Sequence, residues 1–125
     1  MRYHPEVGFT YMPSTKVRMQ RPDGGYLVRT NAAGFRSDRE FSDQREPGAF
    51  RVLLFGDSQT AGDGVVNADR YSDLLERALP GLEVNNYAVS GTGTDQQYLT
   101  YQQQRSVQHD LVVIALYAEN IRRVS

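Results

Sequence analysis

Gly56-Asp57-Ser58 stands immediately after the apolar run RVLLF at 51–55. A buried strand that delivers a serine to the edge of a sheet places a hydroxyl where loops carry chemistry. A serine hydroxyl is a poor nucleophile until a base takes its proton, and acyl transfer also needs donors aimed at the developing oxyanion. Ser58 brings the hydroxyl and its own backbone N–H. Gly91 has no side chain in the way and can bring a second backbone N–H close to a substrate. Asn120 adds a side-chain amide, a neutral donor suited to an oxyanion. Each residue taken singly reads equally well otherwise: Gly-Asp-Ser as a turn, Gly91 as a turn glycine, Asn120 as a helix cap.

The elements that must position these residues follow a regular order from residue 50 onward: strand, helix, strand, helix, strand. RVLLF is uninterrupted and β-rich, as in a parallel strand covered on both faces. Tyr71, Leu74, Leu75, Ala78 and Leu79 fall at i, i+3, i+4, i+7 and i+8 and predict one buried helical face. Asn67 or Asp69 is expected to cap this helix and Pro80-Gly81 to stop it. Residues 82–87 form the next strand candidate. Residues 94–107 read as a weaker, Gln-rich helix with Tyr98, Leu99 and Tyr101 for burial. Residues 111–116, LVVIAL, read as a buried strand. This alternation implies an α/β fold with a parallel sheet, in which ligands bind beyond the carboxyl ends of the strands. All three strands deliver polar segments to that edge: Gly56-Asp57-Ser58, Ser90-Gly91-Thr92-Gly93 and Glu119-Asn120.

Residues 1–49 have a different character and read as a lead-in preceding a main domain at 50–125. The stretches 16–20 and 26–30 are strand-like and flank Arg21-Pro22-Asp23-Gly24-Gly25, a hairpin signature. Residues 31–38 are turn-rich, with Gly34 a candidate for positive φ, and 43–48 read as a polar linker.

The chain has 125 residues, 39% hydrophobic and 23% charged, as in an ordinary globular domain. Fourteen basic residues balance fifteen acidic ones to a net charge of -1, which gives no electrostatic case for nucleic acid or an anionic membrane. Thirteen of the basic residues are Arg and one is Lys16, a bias attributable to codon usage. Cysteine is absent, which removes disulfides, thiolate metal sites and a Cys nucleophile together. No His or carboxylate cluster has metal-ligand spacing, so no metal or cofactor is expected. No stretch reads as a membrane span or a signal peptide.

The ordered blocks FGDSQTAGDG (55–64), NNYAVSGTGTDQQY (85–98) and LYAEN (116–120) resemble the first three blocks of the SGNH, or GDSL-type, hydrolases. HPEVGFTYMPS (4–14) and NAAGFRSDREF (31–41) are similar to the lead-in of envelope-type members. The resemblance implies a three-layer α/β/α flavodoxin-like fold and a serine esterase or acyl hydrolase. It assigns Ser58 as nucleophile, with Gly91 and Asn120 completing the oxyanion hole. It further implies ester substrates of lipids, sugars or acylated polysaccharides.

Two departures qualify the resemblance, the smaller being that the third block reads AEN (118–120) where the family has a Gly-containing turn before Asn. The family's catalytic histidine lies in an Asp-x-x-His block near the C-terminus. The histidines of this chain are His4 and His109, and neither sits in that pattern. His109 precedes LVVIAL, at the wrong end of that strand for a base. A three-stranded sheet would also leave LVVIAL near an open edge. The chain therefore reads as the first part of the fold, its sheet to be completed by further sequence or by self-association. A non-catalytic, SGNH-like binding or interaction module is the alternative reading. Rival motifs fail: no Lys follows the glycines as in a phosphate-binding loop, and position 60 is Thr, unlike G-x-S-x-G.

Overall fold

A computed structural model describes residues 2–4 and 8–116. Among the described residues the strands form three short sheets, two antiparallel and one parallel. β1 (Arg2–His4) pairs with β2 (Gly8–Thr10), and β3 (Lys16–Met19) pairs with β4 (Tyr26–Arg29), both antiparallel. The third sheet is parallel, with β5 (Phe50–Phe55) between β6 (Leu82–Asn86) and β7 (Leu111–Ile114). Between β5 and β6 run the one-turn helix α1 (Ser58–Ala61), a 3-10 turn at Asn67–Asp69 and α2 (Tyr71–Ala78). The helix α3 (Thr94–Gln104) connects β6 to β7. An α/β chain with a parallel sheet and an N-terminal hairpin is the expected architecture, compatible with an incomplete flavodoxin-like fold.

β5 is central because its residues are apolar on both faces, with Leu53, Leu54 and Phe55 all buried. The hairpin turn forms where the sequence places Asp23-Gly24-Gly25. Gly24 N–H donates to Arg21 O at 3.0 Å, and the Asp23 carboxylate accepts from Gly25 N–H at 3.1 Å.

The core gathers Phe35, Leu53, Phe55, Tyr87 and Val107, with Phe41, Tyr101 and Val112 packed against them. Phe35 meets Tyr87 edge-on at 4.7 Å between ring centroids, and Phe55 stacks on Tyr87 at 5.2 Å. Phe35 and Phe41 come from the turn-rich lead-in, so one core spans the boundary expected at residue 49. Polar contacts cross it as well. The Arg39 guanidinium donates to Glu76, to Val84 O and to Asn85 Oδ1.

The flanking elements are less covered than their sequence suggests. Tyr71, Leu74, Leu75 and Leu79, expected to form the buried face of α2, are 43–52% exposed. α2 instead packs through its polar side. Ser72 Oγ accepts from Asn86 Nδ2 at 2.9 Å, and the Glu76 carboxylate accepts from Val84 N–H at 3.0 Å. Likewise Tyr98 and Leu99 of α3 are exposed, and only Tyr101 reaches the core, edge-on to Phe55. β7 is an edge strand with Leu111, Val113 and Ile114 exposed, not a buried one. Neither Asn67 nor Asp69 caps α2, since the capping position is Arg70 with no side-chain cap. The Asn67 side chain is spent elsewhere, on Arg36, Arg29 O and Asp38.

Candidate active site

β5 ends at Phe55, and the backbone turns through Gly56 and Asp57 into α1. Gly56 is required by space. A Cβ there would lie 2.6 Å from both Cβ and Oγ1 of Thr60. Asp57 caps the turn, its buried carboxylate accepting from Gln59 N–H at 3.1 Å. Ser58 is therefore the first residue of α1, half-buried at the carboxyl end of the central strand. Among the described residues its hydroxyl makes no hydrogen bond.

Thr60 and Asn86 hold α1 from below. Asn86 Nδ2 donates to Thr60 O at 2.9 Å, and Thr60 Oγ1 lies 2.7 Å from Tyr71 OH. Arg36 holds its far end. The guanidinium is buried, with Nη1 donating to Ala61 O at 2.8 Å and to Gly62 O at 2.7 Å, and Nη2 to Val65 O. Burial and the neighbouring Arg70 lower the Arg36 pKa.

The loop after β6 is stitched to the serine turn by Gly56 O, which accepts from Val89 N–H at 3.3 Å. The buried Thr92 hydroxyl lies 3.3 Å from the same oxygen and 2.8 Å from Val89 O. Between these anchors sit Ser90 and Gly91. Gly91 is exposed and has φ +80°, a left-handed conformation that glycine adopts without strain. Ser90 is held from two sides: its N–H donates to Tyr11 OH at 3.1 Å, and its hydroxyl donates to the Asp63 carboxylate. Burial raises the Tyr11 phenol pKa above its ordinary value, against the opposing pull of the Ser90 hydrogen bond. Asp63 returns to the serine turn, its N–H donating to Ser58 O at 3.0 Å.

Two of the three sequence-derived site residues, Ser58 at the start of α1 and Gly91 on the loop after β6, thus stand at the same edge of the parallel sheet. Asn120 lies outside the described residues. His109 precedes β7 at its amino end, its Nδ1 2.7 Å from Val107 O. Among the described residues no group of three or more His, Cys, Asp or Glu is gathered as a metal site. No helix among them is long and apolar enough to cross a membrane.

Sequence reasoning missed the supports of this edge. Arg36, Tyr11, Asp63 and Asn86 carry no periodic signal, because each bonds to backbone atoms or side chains far away in sequence. No curated protein matches the chain. The family model described as GDSL-like Lipase/Acylhydrolase matches residues 52–123, a span that contains Ser58, Gly91 and Asn120. That match covers more than half of the chain and supports a hydrolase kind of function; the chain belongs to the GDSL-like lipase/acylhydrolase family.

Proposed function

We propose that the protein cleaves carboxylic esters through Ser58. Its Oγ forms a bond to the acyl carbon as a base takes its proton. The alcohol leaves with that proton, and water repeats the step to release the acid. In this reading the oxyanion is met by the N–H groups of Ser58 and Gly91 and by the Asn120 amide. The observation that carries it is the Ser58 hydroxyl, which makes no hydrogen bond among the described residues, at the carboxyl end of β5 beside the Gly91 loop. Esters of lipids or acylated carbohydrates are the substrate class. The base must be a group other than His109, which stands at the opposite end of β7.

Turnover of p-nitrophenyl acetate by the protein and by Ser58→Ala tests the reading. Loss of turnover in the variant is the expected result, and equal rates would remove Ser58 from any catalytic role.

That position of His109 favours a second reading, a binding module without hydrolysis. Saturable binding of an acylated sugar with no cleavage, unchanged by Ser58→Ala, would support it.

A further inference from the structure

Gly91 sits in a four-residue turn. Thr92 N–H donates to Val89 O at 3.4 Å and closes the turn about Ser90 and Gly91. The φ of +80° at Gly91 is the value a type II turn places at its third residue. The flanks of the turn rest on the end of β5, where Val89 N–H and the Thr92 hydroxyl both meet Gly56 O. Ser90 is held at two points, its N–H on Tyr11 OH and its hydroxyl on the Asp63 carboxylate. With nitrogen and Oγ both held, tetrahedral geometry at Cα fixes its carbonyl carbon. The Gly91 nitrogen is bonded to that carbon.

Asp63 differs from Tyr11 and Gly56 in what holds it. Its N–H donates to Ser58 O at 3.0 Å, so its backbone is bonded to the serine residue while its side chain is bonded to Ser90. The backbone on that side is firmly placed. Gly62 N–H also donates to Ser58 O at 3.0 Å, and Gly62 O accepts from the buried Arg36 Nη1 at 2.7 Å. One short side chain therefore spans from the serine turn to the loop that carries Gly91. The bond is exposed, where water competes for both groups, so it adds little to the stability of the fold. What it sets is distance, and a misplacement of about 1 Å at a reacting centre costs about a hundredfold in rate.

We propose that Asp63 is a positioning residue for ester cleavage: its carboxylate holds Ser90 so that the Gly91 N–H keeps a fixed place relative to Ser58. The proposal rests on the serine reading for its chemistry, whereas the hold on the loop is measured without it.

NMR relaxation of the backbone amides tests that hold. In the parent the Ser90 and Gly91 amides should have order parameters near the rigid-backbone value of about 0.85, falling in Asp63→Ala toward the flexible range below about 0.6. Ser90→Ala removes the donor of the same bond and should have the same effect at Gly91, and the double variant should go no further. Asp63→Asn keeps an acceptor oxygen for the Ser90 hydroxyl and should restore the rigid values. Unchanged order parameters in Asp63→Ala would overturn the proposal.

Turnover of p-nitrophenyl acetate gives the second measurement. A donor to the oxyanion acts in the transition state, so Asp63→Ala should lower kcat about tenfold to a hundredfold with KM unchanged. Asp63→Asn should recover most of that loss, and the urea midpoints of both variants should stay near the parent's. A rise in KM at constant kcat, or a kcat loss that tracks a fall in the urea midpoint, would make Asp63 a structural residue and overturn the proposal. No turnover by the parent, or cleavage that survives Ser58→Ala, would sink the serine reading alone, because the relaxation measurement judges Asp63 separately.

Discussion

Arg36 Nε lies 2.6 Å from Asn67 Oδ1, and this bond joins the lead-in to the loop that follows the serine helix. Asn67 passes the connection on, its Nδ2 donating to Arg29 O and to the Asp38 carboxylate, both at 2.9 Å. The same guanidinium covers the carbonyls of Ala61, Gly62 and Val65. A single buried side chain therefore closes the carbonyl end of α1. Its planar fork of donors suits this task, and it lies 5.7 Å above the Tyr26 ring as well.

Arg36→Lys should destabilise the fold by about 3 kcal/mol, because one ammonium cannot reach three carbonyls and an amide oxygen. Urea unfolding would measure it. A loss below about 0.5 kcal/mol, the range of ordinary surface changes, would contradict the role assigned to Arg36.

Tyr11→Phe removes the acceptor of the Ser90 N–H. The expected cost is about 1 kcal/mol, with faster amide hydrogen exchange at Ser90 and Gly91 than at β5. The Tyr11 pKa is raised, so its contribution is present below the unfolded value near 10 and is lost as pH rises through the folded value. The variant should accordingly lose less stability than the parent across that alkaline range. Identical alkaline curves would assign the effect to Tyr87, whose phenol burial also raises.

What the sequence made legible were the features that local chemistry decides. The strand–turn–serine of 51–58, the hairpin about Asp23-Gly24-Gly25 and the positive φ of Gly34 all stand where the residue types put them. Legibility ended where packing partners decide. The apolar stripe of α2 has a strong helical period, yet Ser72 and Glu76 make the contacts with β6. A period says that a face is apolar, not which face a sheet edge of Val84, Asn85 and Asn86 will take. Arginine is the other case. A bias attributable to codon usage includes Arg36 and Arg51, both 1% exposed and both bonded across long stretches of chain. In the site itself, Ser58 and Gly91 were readable as motif positions, whereas Tyr11 and Asp63 act through Ser90 from 79 and 27 residues away.

Asp110 offers a test in acid. The Arg45 guanidinium and then the Arg51 N–H hold its carboxyl below the usual carboxylate range. A depressed folded pKa contributes stability above the unfolded value, about 3.9, that is lost as pH falls through the folded one. Asp110→Asn should lower the urea midpoint at neutral pH and flatten its decline below about pH 4. A decline as steep as the parent's would place the acid sensitivity in other carboxylates.

Gly91→Ala separates conformation from chemistry. Gly91 has φ +80°, and no atom lies within 4 Å of an added Cβ, so the cost of the change is backbone strain alone. Gly64 has φ +96° and equally open surroundings, which makes Gly64→Ala a matched control. Both variants should lose about 1 kcal/mol of stability. If the Gly91 N–H meets the oxyanion, only Gly91→Ala should also lower ester turnover, by about tenfold to a hundredfold as the amide swings away. Thermal unfolding and p-nitrophenyl acetate turnover, measured on both variants, give the comparison. Equal turnover in the two would leave Gly91 as a turn residue and remove it from the oxyanion hole.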